Sequence, residues 1–218
     1  MTTFSEENYL KAIYHLGKQG SYIVSTNAIA DKMNTKASSV TDMLRKLSEK
    51  KLVEYVKYQG ASLTKEGKQT ATNVIRKHRL WEVFLVEKLN FTWDEVHDIA
   101  EQLEHIKSRK LTDELDAFLE YPTHDPHGDP IPDKDGNFKA TDKILLSKLN
   151  INDTCVCVGV NDSSPEFLKY LDKNKIGLGT TLKIIAKESF DNSLTLESNS
   201  SRINISKEVS NNLYVKKK

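Results

Sequence analysis

Apolar positions recur every three or four residues through the first half of the chain and alternate in its last third. Tyr9, Ile13 and Leu16 mark one face of a helix over Phe4–Leu16, with Ser5 as its expected N-cap. Ser25 caps a second helix, Thr26–Met33, whose Ala28, Ile29 and Ala30 face inward. Asn34-Thr35-Lys36 breaks the pattern before a third helix, Ala37–Leu47, buried along Val40, Leu44 and Leu47. Two short helices joined by a tight polar turn predict a helix-turn-helix. Leu52 to Tyr58 alternates like a strand, and Gln59-Gly60-Ala61-Ser62 turns it back into Leu63-Thr64, a hairpin or wing.

Three further helices are predicted: one capped by Thr64 and ending near Leu89, one opened by the capping box Thr92-Trp93-Asp94-Glu95, and one begun by Ser108. Leu111, Leu115, Phe118 and Leu119 share a face of the last. Pro122 to Asn137 holds four prolines, two glycines and four aspartates, so it reads as a loop. Beyond Ile144 the β pattern dominates, with strands at Cys155–Val160, Thr181–Ile185, Ser193–Glu197 and Arg202–Ile205 and a short helix at Pro165–Leu171. Short strands at this spacing predict a small barrel. The fold class is therefore mainly α with a small β domain, and a leftover apolar face on the central helices favours a symmetric homodimer.

The polar positions carry the chemistry. On the long helix, Ala71, Ile75, His78, Glu82, Leu85 and Leu89 form one stripe, in which His78 and Glu82 interrupt four apolar residues. A carboxylate on a buried stripe needs a cation. On the next helix His97, Glu101, Glu104 and His105 fall at i, i+4, i+7 and i+8, beside the apolar face of Val96, Ile99, Ala100, Leu103 and Ile106. Carboxylates with imidazoles and no thiolate suit Mn(II) or Fe(II). Cys155 and Cys157 leave the same face of a strand, which favours buried thiols over a disulfide.

Charge sharpens the division. The net charge of +1 conceals 14 Lys and Arg against 7 Asp and Glu in residues 1–80, and 5 against 15 in residues 81–135. A basic N-terminal unit beside an acidic, ligand-rich centre predicts a polyanion-binding module joined to a cation-binding one. The exposed face of the third helix offers Lys36, Ser38, Ser39, Thr41, Asp42, Arg45 and Lys46, with Lys57 near the wing tip. Groups of this size reach base edges and phosphates in a major groove. No apolar run approaches the ~20 residues of a membrane helix and no signal peptide is recognisable, so a cytoplasmic protein without membrane partners is expected.

Glu7-Asn-Tyr-Leu-Lys-Ala-Ile-Tyr14, Ser38-Ser-Val-Thr41, Arg76-Lys-His-Arg-Leu80, Val96-His-Asp98, Glu104-His105 and His127-Gly-Asp-Pro-Ile-Pro132 together resemble the diphtheria-toxin-repressor family of metal-dependent transcription regulators. The resemblance covers nearly the whole chain. It implies a winged-helix DNA-binding domain (1–73), a helical metal-binding and dimerisation domain (74–140) and an SH3-like domain (141–218). It also implies two metal sites per subunit, for Mn(II) or Fe(II), with Zn(II) able to bind in vitro. Asn8, Glu101, Glu104 and His105 would form the regulatory site. His78, Glu82 and His97 would form the ancillary one, with Glu166 and Ser163 from the third domain. Manganese-responsive members place a glutamate where this chain has Lys11, and iron-responsive members a cysteine where it has Glu101.

The expected function is a metal-activated, homodimeric repressor that binds double-stranded operator DNA and controls metal-uptake genes. The alternatives are a winged-helix regulator indifferent to metals and a carboxylate-bridged metalloenzyme. The enzyme class needs a Glu-x-x-His motif on each of two helices, and the sequence offers no second copy.

Overall fold

The computed structural model describes residues 2–139, 141–198 and 201–218; the expected boundary at residue 140 lies outside them. The chain folds as two units, the first made of Met1–Trp81, Ala100–Glu114 and Ile131–Phe138, the second of Glu82–Ile99, Leu115–Pro130 and Lys139–Lys218.

The first unit opens with helix α1 (Phe4–Leu16). Thr3, not Ser5, is its N-cap: the Thr3 hydroxyl accepts from Glu6 N–H at 3.3 Å while the Glu6 carboxylate accepts from Thr3 N–H at 2.9 Å. That reciprocal pair satisfies two orphan donors, which Ser5 could not do. Helices α2 (Thr26–Lys32) and α3 (Ala37–Glu49) follow, with Asn34 at φ 47° in the turn between them. Val40, Leu44 and Leu47 of α3 are fully buried, a contribution of about 1.5–3 kcal/mol each as an upper bound. They pack with Leu10, Ile13, Ile29 and Ile75 in one core.

Strands β1 (Val53–Val56) and β2 (Gly60–Leu63) form the antiparallel wing, and Val24 bridges to β2 by exchanging hydrogen bonds with Ala61 at 2.8 and 2.9 Å. Gly60 permits this closeness: its φ is +120°, and a Cβ there would sit 2.3 Å from the Val24 carbonyl. The return strand thus begins three residues before the expected Leu63, because the turn is tighter. Helix α4 (Lys65–Leu89) contributes to both units, as do α5 (Val96–Leu103) and α6 (Arg109–Phe118).

In the second unit β3 (Ile144–Leu145), β4 (Thr154–Val160), β5 (Thr181–Lys187), β6 (Leu194–Ser198), β7 (Ser201–Ile205) and β8 (Leu213–Lys217) form a six-stranded antiparallel sheet ordered β3-β8-β4-β5-β6-β7. This is the small β domain expected from the strand spacing; among the described residues no pairing joins β3 to β7. Helix α7 (Pro165–Lys173) supplies Leu168 and Leu171 to the sheet core, and helix α8 (Lys207–Asn211) precedes β8. Cys155 and Cys157 are free, buried thiols on the inner face of β4. The loop at His127-Gly128 lies flush on β4: Gly128 has φ +82°, and a Cβ would sit 2.1 Å from the Val158 carbonyl.

Candidate metal centre

In the first unit, α1 presents Glu7, Asn8 and Lys11 on one face, and the chain at the end of α5 presents Glu101, Glu104 and His105. The helical stripe expected to continue to Ile106 stops at Leu103. Glu104 N–H closes the last turn on the Ala100 carbonyl at 2.8 Å, and from there side-chain bonds to α1 and α4 hold the backbone. His105 Nδ1 lies 2.7 Å from Glu7 Oε2, and its ring stacks on Phe4 at 4.7 Å between centroids. His78 Nδ1 on α4 lies 2.7 Å from Glu104 Oε2 and 4.0 Å from Glu101 Oε1. Lys11 Nζ sits between the two carboxylates, 2.5 Å from Glu101 Oε1 and 2.6 and 2.8 Å from the two oxygens of Glu104.

Burial raises the stakes of each contact. Glu104 is fully buried, and Glu7, His78 and His105 are nearly so. Nδ1 of His105 is taken up by Glu7, and its other ring nitrogen, Nε2, lies 3.7 Å from Glu104 Oε1. A second carboxylate fixing the tautomer of an imidazole is the usual support of a metal-ligating histidine. Asn8 Oδ1 is a buried acceptor with no hydrogen-bond partner, and an unmet buried acceptor costs about 1–3 kcal/mol. An imidazole nitrogen, two carboxylates and an orphaned amide oxygen on adjoining elements fit a divalent cation. His78 also contacts Glu104 here; Glu7 and Lys11 enter the set although helical periodicity did not single them out.

The second unit holds another cluster. Glu82 Oε1 lies 3.5 Å from His97 Nδ1, and Glu82 Oε2 lies 3.5 Å from His127 Nδ1. Glu82, Asp125 and His127 bring ligand atoms within 4.8 Å of one another, all buried. His127 Nε2 donates to the Trp93 carbonyl at 2.8 Å. Burial alone would lower the His127 pKa, but Glu82 and Asp125 outweigh it and push it up to about 9. His127 thus faces the Glu82 carboxylate as an imidazolium, and the three groups form a second candidate cation set. His97 is exposed and, with Ser163, Asp94 and Asp98, lines a cleft of about 530 Å³. Glu166 is exposed on the first turn of α7. Asp125 and His127 were legible only as part of a turn-rich motif.

On α3, Lys36, Ser38, Ser39, Asp42, Arg45 and Lys46 are exposed and Thr41 half-buried. Thr41 donates back to the Ala37 carbonyl at 3.0 Å, and Arg45 lies 3.6 Å from Asp42. Lys57 is exposed at the wing tip, its ammonium 4.9 Å from the centroid of Tyr58, itself 91% exposed. These residues leave a polar, largely cationic face open to a ligand.

Comparison with known proteins matches three consecutive segments of the chain. Residues 1–61 match the description "Iron dependent repressor, N-terminal DNA binding domain" and residues 64–133 "Iron dependent repressor, metal binding and dimerisation domain". Residues 144–217 match the "FeoA domain". The "HTH-type transcriptional regulator MntR" of Oceanobacillus iheyensis is 30% identical over 155 residues, covering 71% of this chain and 98% of that protein. The "Iron-dependent repressor IdeR" of Mycobacterium tuberculosis (strain ATCC 25618 / H37Rv) is 32% identical over 58% of this chain, a match that spans 54% of IdeR. A match to a "Probable metal transport system membrane protein" of Chlamydia trachomatis spans 29% of that protein. A solved "Manganese-dependent transcriptional repressor complex with manganese" superposes with a TM-score of 0.87 at 33% identity, over 98% of this chain and 100% of that one. "ScaR with bound Zn2+" superposes with 0.76 at 32% identity, over 98% and 99%.

Proposed function

Because the chain belongs to the iron-dependent repressor family, whose members are metal-dependent transcriptional repressors and not enzymes, we propose that it is a homodimeric repressor of metal-uptake genes, activated by Mn(II) in preference to Fe(II). The observation that carries this reading is the buried carboxylate–imidazole set tying α1 to the end of α5, with Asn8 Oδ1 left without a partner. Glu101, Glu104, His105 and Asn8 would hold the ion, and Glu7 keeps His105 Nε2 free for it. His78, Glu82, His97, Ser163 and Glu166 remain the proposed second set.

Two positive charges between α1 and the α5 terminus are what a bound ion would supply. The rest is the work of the protein. Glu6, beside Glu7 on α1, accepts from Lys50 Nζ at 2.7 and 2.8 Å, and Lys50 is the C-cap of α3. A constraint on α1 therefore reaches the helix that offers Ser38, Ser39, Thr41 and Asp42 to base edges, while Arg45, Lys46, Lys36 and Lys57 meet phosphates. In a dimer, two such helices must span half-sites about one helical turn or a multiple apart. Fixing α1 selects that spacing, and by linkage DNA tightens metal binding equally.

The preference for Mn(II) follows from the donors. The set is rich in hard oxygen, and a four-coordinate ion such as Zn(II) can bind without recruiting Asn8. The test is fluorescence anisotropy of operator DNA titrated anaerobically with Mn(II), Fe(II) and Zn(II) in turn. Chelated protein should bind at least ten-fold more weakly, about 1.4 kcal/mol, and Zn(II) should activate less than Mn(II) at equal occupancy. Equal affinity with and without chelator refutes the reading.

A further inference from the structure

We infer that a cationic cleft in the first unit, between the start of α1, the first half of α4 and the N-terminus of α6, is a binding site for a small organic polyanion bearing phosphate or carboxylate groups. The cleft measures about 570 Å³, within the ~300–1,000 Å³ of sites that enclose small ligands. Arg76, Lys77, Lys107, Arg109 and Lys134 line it. Against these five cations stand three lining carboxylates, Glu7, Asp113 and Asp135. A concave site with an excess of one charge concentrates ions of the other.

The bonding within the cleft preserves that excess. Lys107 Nζ donates to the Thr2 carbonyl at 2.6 Å and Lys77 Nζ to the Ile106 carbonyl at 3.4 Å. A carbonyl satisfies the hydrogen bond but carries no net charge. Arg76 and Arg109 meet the same carboxylate, Asp113, at 3.4 and 3.8 Å. Glu7 is engaged elsewhere, by the Thr2 hydroxyl at 2.8 Å and His105 Nδ1 at 2.7 Å. Arg76 is buried, so its fork of donors is held in place before a ligand arrives. Helix α6 adds its own polarity. Arg109 and Thr112 of its first turn line the cleft, Ser108 Oγ accepts from Leu111 N–H at 3.2 Å, and the positive end of a helix favours an anion. Guanidiniums and ammoniums spread around a space of this size suit a ligand charged at more than one point. Phosphate esters and polycarboxylates share that chemistry.

The experiment titrates the chelator-stripped full-length chain by calorimetry, with sodium pyrophosphate in one arm and sodium tricarballylate in the other. The salt is about 150 mM, where the ~8 Å Debye length suppresses diffuse attraction. Amide NMR shifts are followed in both arms. One saturable site per chain is expected for at least one of the two anions, with shifts centred on Arg109 and Thr112. Binding in either arm supports the site, and the tighter arm identifies phosphate or carboxylate as the natural group. Lys107→Gln and Arg109→Gln should each weaken binding about ten-fold. Lys110→Gln, on the same helix but outside the cleft, should leave it unchanged. All three positions are exposed, so the fold is retained. No binding of either anion, an equal loss in Lys110→Gln, or shifts centred on Arg45 and Lys46 of α3 overturns the inference. The protein is metal-free throughout, so such a failure leaves the metal-activated reading standing.

Discussion

Glu104→Gln tests whether the buried set holds the first unit together. Glu104 is fully buried and takes three short bonds, two from Lys11 and one from His78. Glutamine keeps the shape, yet one of its two heads becomes an amide donor facing other donors. Removing one partner of a buried ion pair costs ~3–5 kcal/mol. Here Lys11 keeps Glu101 at 2.5 Å, so the loss should fall to about 2–3 kcal/mol, near the value of one charged hydrogen bond. With a urea slope of ~1–3 kcal/mol per molar, the unfolding midpoint should drop by about 1–2 M. Trp81 lies in the first unit and Trp93 in the second, so a Trp93→Phe background makes fluorescence report the first alone. Mn(II) at a hundred times its dissociation constant should raise stability by about 2.7 kcal/mol in the parent and hardly at all in Glu104→Gln. A midpoint shift under about 0.3 M, or an undiminished response to Mn(II), would refute the assignment.

Lys46→Ala should weaken binding to operator and to random DNA about equally and reduce the salt slope by about one; a changed base preference in competition assays would show that Lys46 reads sequence. Gly60→Ala places a Cβ 2.3 Å from the Val24 carbonyl at φ +120°, so the wing should lose ~1–3 kcal/mol, visible as faster amide exchange at Val24 and Ala61; unchanged protection would contradict the close approach. Burial pushes both Cys155 and Cys157 up to about 11, so iodoacetamide at pH 7.5 should modify them at least ~100-fold more slowly in the native chain than in urea, and labelling at the rate of a free thiol would argue against the β4 packing.

Much of this architecture was legible because it rests on local signals. The stripe Val40, Leu44 and Leu47, the caps Ser25 and Thr64, and the Gly60 turn each announce an element within a few residues. The candidate ligands His78, Glu101, Glu104 and His105 also stood out, as charges on helical faces. What periodicity could not supply was the pairing across the chain. Glu7 read as one of two acids at a helix start, and nothing near it in sequence points to His105. Lys11 stood out only by comparison with a family pattern, not by any contact. Strand β8 (Leu213–Lys217) was missed because a short, lysine-rich tail has little apolar alternation; its place comes from the neighbours β3 and β4. The strand order β3-β8-β4-β5-β6-β7 was not legible either, because spacing does not encode which edges pair.

The bonds that build the first-unit site join residues 90, 93 and 98 positions apart. Closing a loop of that length costs about 4 kcal/mol of chain entropy beyond a constant, which a handful of polar contacts cannot supply in an unfolded chain. The site must therefore be among the last things to form, after the helices have condensed around Leu10, Ile13 and Ile75. A nascent or damaged chain presents scattered carboxylates and imidazoles, but not this set. An ion that needs the assembled set reports on finished molecules alone, so the protein's response to metal carries with it an inspection of its own folding.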